Sequence, residues 1–528
     1  MNIHHFLMPN KNIKIQTKEI RTNFKLMDYY IVFLLILPFV WASIHVFTSN
    51  LASRKSGLPT LPPGPYPIPI IGNIFKLGNL PHQAIAKLSK TYGPLMTLKL
   101  GSITTIVISS PNIAKEALKK YDQAFSSRTI PNMAKTFDHH KVSIGWMPTN
   151  SHWRNLRKAC VMEIFALQRL EATQSLRQTK VQELLDYINE SCKSGAPIDV
   201  AQVVITTVVN AISNTFFSID LAQYGSNLSH EFQHLVYGVA QEAGKPNLAD
   251  FFPALSLVDP QGIRKRTRIY FAKLFGIFDA IINERVQLRA SSKGPKASND
   301  VLDSLLTLNE EDNSKISLHD IKHLILDLFI AGIDTTSSTI EWAMALLLHN
   351  PKKMVKAQDE LEEVLGSNRK VQESDISKFH YLQAIVKETF RLHPPAPFLI
   401  PHKAVTDVEI CGFIVPKNAQ ILINVWAMGR DLSIWPNPNL FMPERFLENG
   451  IEFKGQDFEL IPFGAGRRIC PGLPLANRMV HLMLASLVYN FAWKLPDEMK
   501  PEDMDMEEVF GLSLHKAEPL RAIPIISL

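Results

Sequence analysis

The chain has 528 residues, of which 46% are hydrophobic and 20% are charged, a composition that excludes general disorder and suffices for a large core. Its formal net charge is +6, with the charges interspersed, which disfavours nucleic-acid binding and suits a basic patch facing an acidic protein or an anionic membrane. The four cysteines lie far apart without framework spacing, which favours reduced thiols in a cytosol-facing compartment: Cys160, Cys192, Cys411 and Cys470.

The first predicted element is a membrane-spanning helix near the amino terminus. Tyr29–Phe47 is apolar except for Ser43 and His45, and it approaches the length of about 20 residues that a bilayer core requires. A buried core helix is the alternative. A cleaved signal peptide is disfavoured, because no small-residue cleavage site follows a short apolar core. We predict a transmembrane anchor over residues 27–48.

The flanking charges give conflicting predictions for the orientation of this helix. Arg54 and Lys55 follow it and favour a cytosolic carboxyl side, whereas the basic residues within 1–26 would hold the amino terminus in the cytosol. Initiation at Met27 would remove the conflict and leave the large domain in the cytosol. We therefore expect initiation at Met27, or an addressing role for the extension 1–26.

A proline-rich stretch, Leu61–Asn73, follows the predicted anchor. Its five prolines fix the backbone dihedral and cannot continue a helix, so residues 49–65 are predicted to form a stiff hinge, with an ordinary loop as the alternative. Residues 66–528 contain no internal repeat or second linker, which predicts one domain.

The periodicity within that domain predicts a mainly α fold with a small β subdomain. Two segments rich in β-branched residues predict strands, Leu95–Ser110 with a turn at Gly101, and Val408–Val425. Most of the remainder has helical periodicity, with the clearest helices predicted at Lys322–His349, Pro351–Gly366 and Ser374–His393.

The stretch FGAGRRICPG, Phe463–Gly472, places Cys470 in an unusual setting. A packing cysteine, a catalytic nucleophile and a metal ligand are the three interpretations, and no local motif supplies the histidine base that a nucleophile needs. A metal-bound thiolate is favoured by nearby cations and backbone N–H groups. Gly466 and Gly472 would let the backbone pass close under a flat macrocycle. Pro471 fits the first turn of a helix predicted to begin there, whose dipole favours a thiolate.

The spacing F-x-x-G-x-R-x-C-x-G resembles the haem-binding motif of the cytochrome P450 family, the haem-thiolate monooxygenases. It is formed by Phe463, Gly466, Arg468, Cys470 and Gly472. The resemblance covers the chain from position 29 onward and implies the family fold, a single mainly α catalytic domain with a small β subdomain behind a transmembrane helix. It implies that Cys470 is the axial thiolate ligand of haem b iron.

Other family signatures follow in the expected order, although each alone has a packing or solvated side chain as its alternative. KETFR places Glu388 and Arg391 three residues apart on a helix, where an ion pair can form, and the resemblance adds Arg445 of FMPERF as a third member of a buried network. Similarity also assigns haem propionate contacts to Trp153, Arg157, His402 and Arg468.

The stretch AGIDTTSST, Ala331–Thr339, lies inside the predicted helix Lys322–His349. Gly332 and the hydroxyl cluster predict a bend or local bulge there, with a polar kink without chemistry as the alternative. The resemblance assigns oxygen activation to Thr335 and proton delivery to Asp334. This acid–alcohol pair favours a monooxygenase over a haem-dependent isomerase or dehydratase and over a haem sensor without turnover.

Several segments resemble plant microsomal enzymes, and Glu242–Arg266 is similar to the geraniol 8-hydroxylase group. The similarity implies hydroxylation of a terpenoid, either a monoterpenol such as geraniol or a sesqui- or diterpene, with a phenolic or alkaloid substrate as the alternative. The candidate pocket residues are mostly apolar and suit a hydrocarbon held by shape: Phe329, Ala331, Thr335, Phe398, Leu399, Ile400 and Leu512.

The resemblance also implies partners and a location. These are O2, electrons from NADPH relayed by NADPH–cytochrome P450 reductase, cytochrome b5 as a further partner, membrane lipid and a lipophilic substrate, with no nucleic acid. The expected location is the endoplasmic reticulum membrane, single-pass, with the catalytic domain facing the cytosol. The reductase is expected to dock on the face nearest Cys470, where the candidate contacts are Arg154, Lys158 and Arg467.

Overall fold

The computed structural model describes residues 60–225, 229–291, 300–311, 315–366 and 369–526. The predicted anchor at 27–48, the extension 1–26 and residues 49–59 of the predicted hinge lie outside the described residues.

The described chain is mainly helical, which confirms the predicted fold class. The α-helices in chain order are α1 (Pro81–Tyr92), α2 (Pro111–Lys115), α3 (Ser151–Ala159), α4 (Leu167–Ala172), α5 (Gln174–Cys192), α6 (Val200–Phe217), α7 (Ser229–Gly244), α8 (Leu248–Phe251), α9 (Ile263–Ala290), α10 (Val301–Glu310), α11 (Leu318–His349), α12 (Pro351–Leu365), α13 (His380–Leu392), α14 (Val425–Met428), α15 (Arg445–Glu448) and α16 (Leu473–Asn490). Short 3-10 helices cover Ile74–Lys76, Asn132–Lys141, Pro253–Leu257, Glu373–Lys378, Gly466–Arg468 and Pro501–Asp503, and π turns cover Glu116–Lys120 and Cys160–Ile164.

The strands form small sheets on the periphery of the helical domain. They are β1 (Leu95–Leu100), β2 (Ile103–Ile108), β3 (Ser127–Arg128), β4 (Ile198–Asp199), β5 (His402–Lys403), β6 (Val408–Ile410), β7 (Phe413–Val415), β8 (Gln420–Ile423), β9 (Phe491–Lys494), β10 (Glu508–Phe510), β11 (Leu514–Lys516) and β12 (Arg521–Ile526). The largest sheet has the order β1-β2-β8-β5-β3, and the others are β4-β12-β9, β6-β7 and β10-β11.

Helix α11 is the central element of the core. It packs against α6, α7, α13 and α16, and most of its side chains are buried. It begins at Leu318, four residues before the predicted start, because Ser317 and Asp320 cap each other reciprocally at its amino end. Among the described residues, α6 is the one helix long and apolar enough to cross a membrane, but 83% of it is buried here, as expected for a core helix.

The strand prediction for Leu95–Ser110 is confirmed as the antiparallel pair β1–β2, with Gly101 at φ +58° in the turn. The second strand segment contains more elements than predicted. It forms the hairpin β6–β7 and then β8, which pairs parallel with β2. Gly412, at φ +77°, lies in the turn between β6 and β7. Glycine is favoured in that left-handed region because it has no Cβ.

The predicted helix Ser374–His393 is divided in two by a cap supplied from another helix. The Glu360 carboxylate accepts hydrogen bonds from the backbone N–H groups of Tyr381 and Leu382, at 2.6 and 2.9 Å. These are unpaired donors at the start of α13, so the helix begins afresh at His380 after the 3-10 segment.

The proline-rich stretch is bound to the edge of the large sheet from Pro63 onward. The backbone N–H of Thr97 donates to the Pro63 carbonyl at 2.8 Å. A Cβ at Gly64 or Gly72 would lie 1.9 or 2.0 Å from a carbonyl oxygen of β1, so both positions require glycine. Thr60 is held as well, since its carbonyl accepts a hydrogen bond from the Ile414 N–H at 3.0 Å. The described part of the predicted hinge, residues 60–65, is thus fixed to the domain.

The carboxyl-terminal hairpin β10–β11 is fixed to α11 through one carbonyl. Leu514 accepts hydrogen bonds from Ser338 Oγ at 2.7 Å and Trp342 Nε1 at 3.0 Å. At the hairpin tip, a Cβ at Gly244 of α7 would lie 2.2 Å from the Leu512 nitrogen. The hairpin is thus held between two helices.

Glu508 fixes the other strand of the hairpin. Its carboxylate lies 2.9 Å from His82 Nε2 and 2.8 Å from His393 Nδ1. Although burial opposes ionisation, hydrogen bonds from His393 and His82 hold the pKa of Glu508 well below its ordinary value. The hairpin is therefore anchored by a buried anion as well as by the α11 contacts.

Replacing Gly244 with alanine is expected to destabilise the protein by about 1–3 kcal/mol, because the added methyl group meets the hairpin backbone. The matched control is Gly276→Ala in α9, where nothing lies within 4 Å of the added Cβ, so helix propensity should raise stability by about 1 kcal/mol. The Tm of the purified variants measures both effects. Equal Tm values would contradict the close packing of α7 against the hairpin.

Candidate active site around Cys470

The loop that carries Cys470 is shaped by its glycines and by an aromatic contact. Gly464 and Gly466 have φ of +72° and +67°, and a Cβ at Gly466 would lie 2.2 Å from the Leu118 carbonyl oxygen. Gly466 is therefore required by conformation and by space. The Cys470 N–H donates to the Phe463 carbonyl at 2.9 Å, which closes the loop on itself.

The thiol of Cys470 faces two backbone N–H groups. Burial raises its pKa, and the Gly472 N–H, the Arg157 charge and the Leu473 N–H oppose that rise. The prediction that a helix begins at Pro471 is wrong. Pro471 and Gly472 form a turn, and α16 begins at Leu473, so the N–H groups that face the sulfur are those of Gly472 in the turn and Leu473 at the start of the helix.

Unlike Gly466, Gly472 is not required by its backbone conformation or by the space around it. Its φ of −79° is open to any residue, and a Cβ there would make ordinary contacts, 3.7 Å from Phe165 and 3.8 Å from the Cys470 sulfur. The described residues alone therefore do not demand glycine at this position.

Three arginines surround the Cys470 loop, and each donates to main-chain carbonyls. Arg157 of α3 donates to the Ile469 carbonyl, one residue before the cysteine. Arg128 of β3 donates to the Ile400 carbonyl. The acceptors of Arg468 are the carbonyls of Ser126, at 2.8 Å, Ile144, at 3.1 Å, and Met147.

These arginines form a cluster of positive charge that lacks acidic partners. Among the described residues, none of the three makes an ion pair. Burial lowers the pKa of Arg128 well below its ordinary value, with repulsion from Arg468 and Arg157 adding to the effect, and burial lowers that of Arg468 to about 10. Buried charges are ordinarily paired. The arrangement therefore fits an anionic ligand.

Trp153 and His402 lie beside the arginine cluster. Trp153 Nε1 donates to the Ile144 carbonyl at 3.0 Å, and the Arg468 guanidinium lies 4.5 Å from the tryptophan ring centroid. His402 Nδ1 donates to the Phe125 carbonyl at 2.7 Å. Burial lowers the pKa of His402 well below its ordinary value, and repulsion from Arg128 adds to that effect.

Glu388, Arg391 and Arg445 are brought together as a buried network. Arg391 binds the Glu388 carboxylate through two nitrogens, at 2.7 Å each, and Arg445 Nε lies 3.1 Å from it. The side chains of Glu388 and Arg391 are fully buried. Bidentate geometry is the strong form of this ion pair, so the network ties α13 to the segment around α15.

On α11, Ala331 and Thr335 lie one turn apart on the same face. Ala331 is exposed and Thr335 half-buried, whereas the residues around them are mostly buried. Thr335 Oγ1 donates to the Ala331 carbonyl at 2.7 Å, as the hydroxyl pattern predicts. The predicted bulge is not present as a break, since α11 is helical throughout, and Gly332 instead allows close contact with Ile212 of α6.

Asp334, next to Thr335, is 2% exposed and lies against the carboxyl-terminal hairpin. Its Oδ1 atom is 3.1 Å from His515 Nε2 on β11. The sequence offers no signal for this contact, because His515 stands alone on a short strand far along the chain.

The predicted pocket residues divide into two groups. Phe329 is fully buried among four other phenylalanines, with ring centroids 5.5 to 5.8 Å away, so it is a core residue in this structure and we leave it out of the proposed pocket. Phe398 is 8% exposed and packs on Phe510. The half-buried members are Leu399, Ile400 and Leu512.

Arg128 was not among the site residues that the sequence predicted. It lies in a two-residue strand for which the sequence carries no strand pattern, and nothing in its neighbours distinguishes a buried arginine from a solvated one. Its position beside Arg468 became evident only from the pairing of β3 with β5.

The donor set fits haem. A thiol supported by backbone N–H groups suits an axial ligand, and unpaired buried arginines suit the propionates. Cys470 would hold the iron. The residues that would hold the propionates are Arg128, Arg157 and Arg468, with Trp153 and His402 beside them.

Replacing Glu388 with glutamine is expected to cost about 3–5 kcal/mol, because it leaves buried arginines without their counter-charge. The control is Glu190→Gln, which removes an ion pair whose two side chains are each 68% exposed and which should cost about 0–1 kcal/mol. Thermal unfolding of both variants makes the comparison. Similar Tm values would show that the buried network does not stabilise the fold.

Comparison with known proteins identifies the family of the chain. The family model for cytochrome P450 matches residues 62–520. Cytochrome P450 76T24 of Catharanthus roseus is 54% identical over 94% of this chain and 100% of its own length. Geraniol 8-hydroxylase of Catharanthus roseus is 52% identical over 94% of this chain and 99% of its own length. Geraniol 8-hydroxylase of Swertia mussotii is 53% identical over 90% of this chain and 95% of its own length. The chain therefore belongs to the cytochrome P450 family of monooxygenases.

Proposed function

We propose that this monooxygenase hydroxylates a small lipophilic terpenoid, with a monoterpenol such as geraniol as the first candidate. Two relatives that are 52% and 53% identical carry the name geraniol 8-hydroxylase. The observation that carries the proposal is the apolar character of the proposed pocket residues that are not fully buried. Ala331 on the exposed face of α11 and the half-buried Leu399 and Leu512 carry no charge that could hold a carboxylate.

One apolar residue of the proposed pocket, Leu399, has an uncommon backbone conformation. Leu399 has φ of +55°, which is uncommon for a residue with a branched side chain, and a Cβ at Gly464 of the cysteine loop would lie 3.7 Å from Leu399 Cδ1. An apolar side chain is thus held close to the loop that carries Cys470. We infer that Leu399 helps to position the hydrocarbon.

When bound, haem supplies the thiolate-ligated iron that activates O2 for insertion into a C–H bond. The protein supplies the rest. Gly472 and Leu473 N–H groups hold charge on the Cys470 sulfur. The Thr335 hydroxyl donates a hydrogen bond to the Ala331 carbonyl, so the hydroxyl oxygen can accept a hydrogen bond on the open face of α11. We propose that Asp334 delivers protons to this face.

We propose an endoplasmic reticulum location, with a single anchor at 27–48 and the catalytic domain in the cytosol. Exposed apolar side chains within and just after the proline-rich stretch support contact with lipid, since Tyr66 is 66%, Ile70 60% and Phe75 74% exposed.

Electrons are proposed to come from NADPH through a reductase, with cytochrome b5 as a second partner. Arg154 and Lys158 are exposed on α3, the helix whose Arg157 reaches the cysteine loop, which suits docking of an acidic surface. Arg467 is a weaker candidate, because it pairs with Asp122 at 2.6 Å.

The proposed function is tested in microsomes that contain the recombinant protein and a reductase. The reduced protein with carbon monoxide should show the red-shifted Soret band of thiolate-ligated haem, and Cys470→Ser should abolish it. Titration with monoterpenols, sesquiterpenes, diterpenes and phenolic amines should then give a low-to-high-spin shift and an NADPH-dependent hydroxylated product with a terpenoid. A shift and product with phenolic amines alone would contradict the terpenoid proposal.

Replacing Arg128 with methionine should weaken haem retention, because one charge-assisted contact worth about 1.5–3 kcal/mol is lost. This corresponds to binding that is about 10- to 150-fold weaker. Haem content per protein after dialysis against apomyoglobin measures the effect. The control Arg467→Gln, on an exposed arginine, should retain haem as the parent does. Equal retention in the Arg128 variant would remove it from the haem site.

A further inference from the structure

The carboxylate of Asp334 has one polar neighbour among the residues that the structure describes. Both of its oxygens are buried and accept no hydrogen bond from a described residue, and His515 Nε2 lies within ion-pair distance, 3.1 Å from Oδ1. A carboxylate that is 3% exposed in its side chain ordinarily needs a partner. His515 is 26% exposed in its side chain, so the ring reaches both the buried acid and the protein surface.

The main chain beside His515 is held firmly. Leu514, the preceding residue, accepts hydrogen bonds from Ser338 and Trp342, one and two turns after Asp334 on α11. Backbone contact with Gly244 holds the hairpin tip from the other side. The distance between imidazole and carboxylate is therefore set by the fold and not by two free side chains.

The charges around His515 favour its cationic form. Asp334 and Glu341 face it from α11, and both raise its pKa, although burial acts in the opposite direction. From α7, Tyr237 lies 6.1 Å away between ring centroids, and burial raises its pKa, so it is neutral. The adjacent Lys516 turns away and donates to the Asp505 carbonyl.

Two further groups complete this environment. Glu341 accepts a hydrogen bond from the Leu520 N–H at 2.9 Å and feels the charge of Asp199 on β4. Val509 is the cross-strand partner of His515 on β10 and is 49% exposed, so it adds no charge. Asp334 remains the group in direct contact with the ring.

We propose that His515 is a positioning residue that holds Asp334 and reloads it with protons from solvent. The inference rests on the proposed role of Asp334 in proton delivery. When Asp334 gives a proton to the oxygen site, the His515 imidazolium transfers its Nε2 proton to the carboxylate. The neutral ring keeps its Nδ1 proton, so it regains the second proton on Nε2, from solvent, when the half-exposed ring turns that nitrogen outward about the Cβ–Cγ bond. One proton then enters for each one delivered.

This arrangement gives a directional pH dependence. The pKa of His515 is raised in the folded protein, so stabilisation from the pair is complete below the ordinary histidine value near 6.5 and is lost as pH rises through the folded value. Proton reloading should decline over the same range. A substitution that removes the imidazole should remove both effects together.

A double-mutant cycle tests the pair without any substrate. The holoenzyme, D334N, H515Q and the double variant are compared by thermal unfolding at pH 6 and pH 9. We expect the two substitutions to be non-additive in Tm at pH 6 and closer to additive at pH 9. Additive effects at pH 6 would overturn the pairing, whatever the substrate proves to be.

Turnover in the same variants tests the relay. H515Q should lower the rate of product formation about 10-fold at pH 7 and flatten its decline with rising pH, with the carbon monoxide spectrum unchanged. The control Val509→Ala alters the opposite strand of the hairpin and should behave as the parent. A parent-like rate and pH profile in H515Q would overturn the proposal.

His515→Arg separates holding from reloading, because arginine stays cationic and does not release a proton at these pH values. It should restore the coupling to Asp334 in Tm at pH 6 and keep it at pH 9, while product formation stays slow. Full recovery of the rate would show that a positive charge suffices and would refute the relay. If D334N forms product at the parent rate, the proposed role of Asp334 in proton delivery is wrong. If D334N is slow but H515Q forms product at the parent rate, only the inference about His515 is rejected.

Discussion

The rest of the structure depends on a concentration of buried positive charge beside a thiol. Arg128, Arg157 and Arg468 come from three separate elements, and within the described chain they find carbonyls but no carboxylates. Such a cluster is costly by itself, since the charges repel and are withdrawn from water. The propionates of haem, held as proposed above, would supply the missing negative charge. The protein and the cofactor would then each lower the electrostatic cost of the other.

Helix α11 connects the two sides of this centre. On one side it carries the open face at Ala331 and Thr335, where an apolar substrate and oxygen would meet. On the adjoining side it buries Asp334 against the hairpin, next to the face to which this acid is proposed to deliver protons. Because α11 is also the centre of the core, neither side can shift without disturbing the packing of α6 and α16.

The sequence predicted those features that are carried by local pattern. The spacing around Cys470, the pair at Asp334 and Thr335, and the strands at Leu95–Ser110 are short-range signals, and the helical fold class follows from periodicity. It could not predict contacts made by folding over long separations. Arg128 and His515 have no local signature, and Glu360 caps α13 from a different helix. The start of α16 at Leu473 follows a turn at Pro471 and Gly472, which hydrophobic periodicity does not locate.

The proline-rich stretch has a consequence for the behaviour of the protein in concentrated solution. Strand β1 is the outer strand of the largest sheet, and an uncovered outer strand can pair with a strand of another molecule. Pro63 accepts a hydrogen bond from β1, and prolines have no N–H with which to extend the sheet further. The segment therefore acts as a terminator of sheet growth. Truncations that begin after it would expose that strand and favour self-association.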